Sequence, residues 1–243
     1  MTDESENHPD GMGRGPVARV AELPLFPLDL VLFPSMLLPL HIFEERYKEM
    51  VDRCVRESLP FGIVLTTGVD DDTGGPVTSS VGCAARIARV ERLPDGRMNI
   101  EVIGEGRFRI LDTHEQLSYR VGITEVFDDF PADADTVMPL ADEVQRLLRD
   151  FLTRSLAVSG QTVPEFDLPD DPEQLSFTTA WVLPVEMPEK QALLSDDDTV
   201  ARLTAERDVL LREVTRLRRA AESRQVLFTQ LRSGAYDEFG CLN

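Results

Sequence analysis

The chain has 243 residues, 42% of them hydrophobic and 28% charged, the composition of a folded protein long enough to bury a core without disulfide or metal staples. Its formal net charge of −19 argues against nucleic acid and against an anionic membrane as partners, because both draw affinity from clustered Lys and Arg. The three cysteines, Cys54, Cys83 and Cys241, have no ligand-like spacing, so they predict no disulfide framework and point to a reducing, cytoplasmic compartment. Cys54 and Cys83 read as small core residues, and Cys241 as an exposed tail thiol.

Residues 1–18 are acidic and Gly-containing, lack the apolar stretch of a signal peptide, and read as a disordered tail. Leu23 to Phe43 is apolar and about as long as a membrane span. Pro24, Pro27, Pro34 and Pro39 interrupt it and Asp29 sits in its middle, so extended strand and turn are expected rather than a helix. From Ile42 to Glu57 the apolar positions Phe43, Tyr47, Met50, Val51, Cys54 and Val55 recur at helical spacing, which predicts one amphipathic helix. Short strands are then expected at Phe61 to Thr67, through the alternating Val81, Cys83, Ala85 and Ile87, and at Tyr119 to Phe127. Asp95-Gly96 marks a tight hairpin, and Gly104 with Gly106 a bulge or bend in its return strand. Residues 19–128 are therefore expected to form a strongly bent or barrel-like sheet with one inserted helix.

At residues 128–135 the composition turns acidic and Pro-containing and the period changes, which places a boundary there and a helical part over 129–232, with a tail at 233–243. Leu140, Val144, Leu147, Leu148, Phe151 and Leu152 form a helical stripe. Asp171 is the expected N-cap of a helix opening at Pro172, with Leu175, Thr178, Thr179 and Val182 along one side and Pro184 as its stop. A short helix follows from Pro188 to Leu194. The last helix carries Val200, Leu203, Leu210, Val214, Leu217, Ala221, Phe228 and Leu231 in a coiled-coil heptad pattern interrupted by Arg207 and Arg224. Residues 200–232 hold eight arginines against four acids, so this helix is basic on an acidic molecule. Its distal part, through Leu217, Arg218, Arg219, Arg224 and Phe228, is expected to self-associate as a homodimer or to dock a partner. The alternative is that it folds back onto the bundle.

The residues needed for chemistry are sparse. Lys48 and Lys190 are the only lysines and neither follows a glycine, so no phosphate-binding P-loop is present, and neither sits where a Ser-Lys dyad would need it. His8, His41 and His114 have no paired spacing for zinc. The glycines at 11–15 have no preceding strand, and those at 104–106 lack the third glycine and the helix of a dinucleotide loop. No catalytic residue, metal or cofactor is expected. What remains is apolar surface: Phe33, Met36 and Leu37, around the Pro34-Ser35 turn, are the candidate polypeptide-binding residues, against the reading that they are core.

Three segments taken in order carry a family resemblance. "LPLFPLDLVLFPSMLLPLHIFEERYKEMV" resembles the opening of the Lon protease N-terminal, substrate-binding domain family. "VGCAARIARVERLPDGRMNIEVIGEGRFRI" is similar to its central hairpin, and "WVLPVEMPEKQALLSDDDTVARLTAERDVLLREV" to its helical part; together they span about residues 20 to 217. The resemblance implies an α+β fold: a β-rich, PUA-like pseudo-barrel followed by a helical bundle that ends in a long helix. It also implies recognition of unfolded or degron-bearing client polypeptides. In full proteases of the family an ATPase and a Ser-Lys peptidase follow; this chain reaches Asn243 with neither, so a stand-alone, non-catalytic member is expected. Ser35 stands at a turn position where many relatives carry Gly, which bears on local turn geometry only. A substrate-recognition or adaptor role, passing clients to or withholding them from a separate protease or chaperone, is the leading expectation. A scaffold acting through the Arg-rich helix is the second, and an enzyme or small-molecule binder built on the β-rich part the third.

Overall fold

The computed structural model describes residues 20–71, 74–158 and 167–237, with side chains as far as Ser223. The expected tail at 1–18, Cys241, and the side chains of Arg224, Phe228 and Leu231 lie outside the described residues. Among the described residues the architecture is α+β, with six strands and five helices in chain order.

The proline-punctuated start forms β1 (Val20–Leu28) and β2 (Leu37–Ile42). After β2 come α1 (Glu45–Glu57), β3 (Phe61–Val69), β4 (Pro76–Arg92), β5 (Met98–His114) and β6 (Val121–Val126). β1 accommodates Pro24 and Pro27 because its first half pairs only with β6 and its second half only with β3, so a missing N–H can face an unpaired side. The sheet order is β2-β5-β4-β3-β1-β6, and a further β5–β6 pairing closes five of the strands into a ring with β2 outside it.

Two strands exceed the short ones expected from sequence: β4 and β5 run 17 residues each. Register shifts let them bend without ending. One falls where Cys83 pairs with Arg107 and Ala85 with Gly104, so that β5 bulges at the two glycines. Before that bend β5 pairs with β2, and after it with β6. Gly104 is required there, since a Cβ on it would lie 2.2 Å from the carbonyl oxygen of Phe33.

The helix α1 turns Tyr47, Met50, Val51 and Cys54 into the sheet's core beside Phe26 and Phe61. Phe43 and Val55, expected in this stripe, are exposed. The helix starts only at Glu45, leaving Phe43 in the preceding turn, and Val55 lies about 100° round from Cys54. Cys54 and Cys83 are free and buried, and burial pushes their thiols up to about 11 and about 12.

The helical part consists of α2 (Ala134–Val158), α3 (Pro172–Val182), α4 (Met187–Ser195) and α5 (Thr199–Asp237). Asp171 caps α3 as expected, its side chain accepting from the Gln174 N–H at 2.9 Å. α2 and α5 run in the same direction: Asp129, just before α2, meets Arg202 near the start of α5, and Asp150 meets Arg218 a few turns later. Val144, Leu148, Leu203, Leu210 and Val214 fill the space between them.

The two parts share a seam in which Val31, Phe33, Leu65 and Val81 of the β-rich part pack with Phe177, Ala180 and Leu194. Its centre is polar. Asp129, only 4% exposed, is bonded on one side to Arg107 of β5 and on the other to Arg202 of α5, and also accepts from the Thr199 hydroxyl. Arg107 donates to the carbonyls of Leu194 and Asp196, and Arg202 to Ser176 Oγ at 2.7 Å and to the Asp196 carbonyl at 2.8 Å. Both guanidinium groups lie over the Phe177 ring, at 5.1 and 4.2 Å from its centroid. Burial alone would raise the Asp129 carboxyl, but the hydrogen bonds from Arg202 and Thr199 and the two positive charges hold it below the usual range. Burial, aided by the charge of Arg202, lowers Arg107 from its ordinary value.

One turn beyond Arg202, Glu206 is fully buried, and neither of its carboxyl oxygens has a partner among the described residues. Burial pushes this carboxyl well above its ordinary range, with the Arg202 charge opposing the shift. The folded protein therefore keeps a proton that the unfolded chain releases above about pH 4.5. Stability linked to this group is complete below that pH and falls as pH rises toward the folded value. Glu206→Gln is expected to unfold at higher urea than the parent at about pH 8, with the difference closing toward about pH 4.5. Asp129→Ala, which strands two buried cations, is expected to cost about 3–5 kcal/mol in the same measurement.

Candidate functional site

The site grows from the turn between β1 and β2. Met36 N–H bonds back to the Phe33 carbonyl at 3.3 Å, and Ser35 donates to the Gly104 carbonyl at 2.8 Å. Ser35 adopts a left-handed backbone, φ 64°, which glycine takes freely and serine at a cost of about 1 kcal/mol. Phe33 anchors the turn: it is 0% exposed, with its ring 6.4 Å from that of Phe177. It is therefore seam core, and its expected place on a polypeptide-binding surface is corrected. Met36 is half-buried, touching both the sheet core and the seam.

Past the turn, β2 alternates as a strand with one wet face must. Leu38 and Ile42 point into the core, while Leu37, Pro39 and His41 stand outward. Leu37 is 55% exposed and Phe43, just beyond the strand, 61%. The outward row continues across β5 and β4 through the register pairs Leu37–Ile103–Arg86, Pro39–Glu101–Arg89 and His41–Asn99–Glu91. A polar chain holds the far row: His41 Nδ1 is 2.8 Å from Asn99 Oδ1, and Asn99 Nδ2 donates to Glu91 at 3.1 Å. The His41 ring stacks on Phe43 at 6.2 Å. A shallow depression of about 300 Å³ lies over Pro39, His41, Asn99 and Glu101. The result is an open surface with an apolar margin at Leu37 and Phe43 and charge behind it.

A larger depression, about 890 Å³, lies beside α1. Its cations are already matched: Lys48 with Glu45, Arg53 with Glu57 and Arg92 with Asp52. Among the described residues no group of three or more His, Cys, Asp or Glu is placed to hold a metal ion. Lys190, its ammonium lowered by burial, donates to the Trp181 carbonyl at 2.6 Å.

On α5, Leu217 is buried in the bundle, so it is corrected from an oligomer contact to a core residue. The heptad seam as far as Leu217 is satisfied by α2, because two helices running side by side need the same apolar stripe as a coiled coil. Arg218 is tied to Asp150 at 2.7 Å, and Arg219 is exposed. Arg212, Arg216 and Arg219 line a shallow trough with exposed Leu211.

The family model described as the ATP-dependent protease La (LON) substrate-binding domain matches residues 22–212. The chain belongs to the Lon substrate-binding domain family. Curated relatives include Lon protease of Desulfatibacillum aliphaticivorans, 28% identical over 80% of this chain and 24% of that protein. Lon protease of Trichlorobacter lovleyi is 29% identical, again over 80% of this chain and 24% of its own length. The chain thus spans about a quarter of the curated relatives that it matches. Among solved structures, a Lon N-terminal domain protein from Xanthomonas campestris aligns with a TM-score of 0.56 and 27% identity, over 76% of this chain and 96% of that one. The N-terminal domain of Mycobacterium avium complex Lon protease aligns at 0.58 and 22% identity, over 78% and 98%, and supports the fold alone. In this Lon-type domain no helix among the described residues is long and apolar enough to cross a membrane.

Pro39, His41 and Phe43 escaped the sequence reading of the site. The signal was the two-residue spacing from Leu37 through Phe43, masked by assigning Phe43 to the helix. Phe33→Ala is expected to lower stability by about 3–5 kcal/mol, and Leu37→Asp by less than about 1 kcal/mol, in urea titrations followed by circular dichroism.

Proposed function

We propose that this chain is a non-catalytic polypeptide-binding protein that captures unfolded or degron-bearing segments on the outer face of β2. The observation that carries the reading is the pair of large apolar side chains, Leu37 on β2 and Phe43 just beyond it, both exposed. An apolar margin rimmed by charge is the usual form of a protein-binding surface. Membership of a substrate-binding family supports the same reading. Clients reach the surface without a pocket having to open, and a separate protease or chaperone takes or is denied them. No catalytic group, metal or cofactor enters this role.

A second reading rests on Arg212 and Arg219, which are exposed and make no ion pair among the described residues, beside exposed Leu211. An acidic partner or a second copy would dock there, and the molecule would act as a scaffold.

The test is the affinity of the protein for a reduced, alkylated and permanently unfolded client, read by fluorescence anisotropy. Leu37→Asp and Phe43→Asp are each expected to weaken binding at least about fivefold with unfolding curves unchanged. Absence of any binding by the parent protein would refute the reading; loss on Arg212→Glu and Arg219→Glu instead would favour the second.

A further inference from the structure

β2 hydrogen-bonds to β5 along one side, and among the described residues no strand pairs with its other side. The direction of its backbone groups follows from one bond. The Met36 carbonyl accepts from the Gly104 N–H at 3.0 Å, which makes Leu37–Ile103 a non-hydrogen-bonded pair of the antiparallel ladder. Leu38, Leu40 and Ile42 then direct their N–H and C=O groups at β5. Leu37, Pro39 and His41 direct theirs away from it. The outer margin presents the N–H groups of Leu37 and His41 and the carbonyls of all three residues, and among the described residues no hydrogen bond uses them.

We infer that this margin is a strand-addition site: an extended client segment pairs with β2 and becomes the next strand of the sheet. The inference rests on the polypeptide-binding reading and specifies how the client is held. A row of donors and acceptors at strand spacing is complementary to another polypeptide backbone, and Leu37 and Phe43 supply side-chain contact at its two ends. Pro39 decides the occupant. It removes the central donor, and in the symmetric antiparallel pairing of two copies Pro39 would face Pro39, so both strands would lack the bond that closes the centre. A client strand brings its own donor to the Pro39 carbonyl and loses only one bond. The margin thus favours a short extended segment of another chain over a second copy of itself.

The probe is a capped peptide of about nine residues alternating leucine and serine, added to the whole protein. Amide hydrogen exchange at Leu37 and His41 is expected to slow about tenfold or more on binding, while Leu38 and Leu40, already bonded to β5, change little. Pro39→Ala, which restores the missing donor, is expected to tighten binding about fivefold. If the peptide binds and Leu37→Asp weakens it, yet the two amides exchange as before and Pro39→Ala does not tighten it, strand addition is overturned while polypeptide binding stands. If the peptide does not bind at all, both fall. A concentration-dependent dimer that protects the same amides without peptide overturns the assignment in favour of a second copy.

Discussion

The molecule depends on a single buried carboxylate. Asp129 lies in the connector between sheet and bundle, and its two oxygens answer Arg107 from the sheet and Arg202 from the last helix. Burying a guanidinium is costly unless its charge and its donors are met. Here one acid serves two cations, and the remaining donors go to the carbonyls of Leu194 and Asp196, to Ser176 and to the face of Phe177. These acceptors come from two stretches of chain, the middle of α3 and the end of α4, so the cluster ties sheet, connector, α3, α4 and α5 into one relative placement. The apolar seam supplies area around it; the charges supply register.

That register reaches the candidate site through Phe33. Its ring is sunk in the seam, its carbonyl sits where a Cβ on Gly104 would be, and the next residues turn directly into β2. Leu37 is therefore held by a backbone fixed at both ends. On the proposed reading, a backbone held in this way would lose little freedom when a client binds, which favours affinity from a small contact. Openness sets the opposite limit: without walls, such a surface would discriminate by backbone pairing and apolar contact, not by shape.

Much of the fold was legible in the residues. Prolines at 24, 27, 34 and 39 ruled out a helix, Asp95-Gly96 marked the hairpin, Asp171-Pro172 opened α3, and Gly104 with Gly106 placed the bend of β5. Each is a local backbone rule, and local rules survive folding. What failed was the role of polar residues inside. Asp129 stood in the acidic stretch read as a boundary, and Arg202 and Glu206 fall off the apolar stripe of the last helix, where periodicity treats every charge as solvent-facing. Only the pairing of Asp129 with Arg202, some seventy positions apart, makes those two core. The site was half legible: the turn was located, but Phe33 was placed on the wrong side of it, since in a run as apolar as Val31 to Leu38 composition does not say which side chains face inward.

β1 is the first strand of the described residues yet finds one of its two partners only in β6, so that Val20 lies against Glu125. Until the ribosome has released that segment, the ring cannot shut and the amino-terminal strand has a single neighbour. Contacts this distant in sequence slow folding, since a long loop must be drawn in before any bond rewards it. During synthesis the greasy residues Leu23, Leu25 and Phe26 are thus uncovered for the time needed to add about a hundred more. On the proposed polypeptide-binding role, the protein would itself pass through the unfolded condition that it recognises.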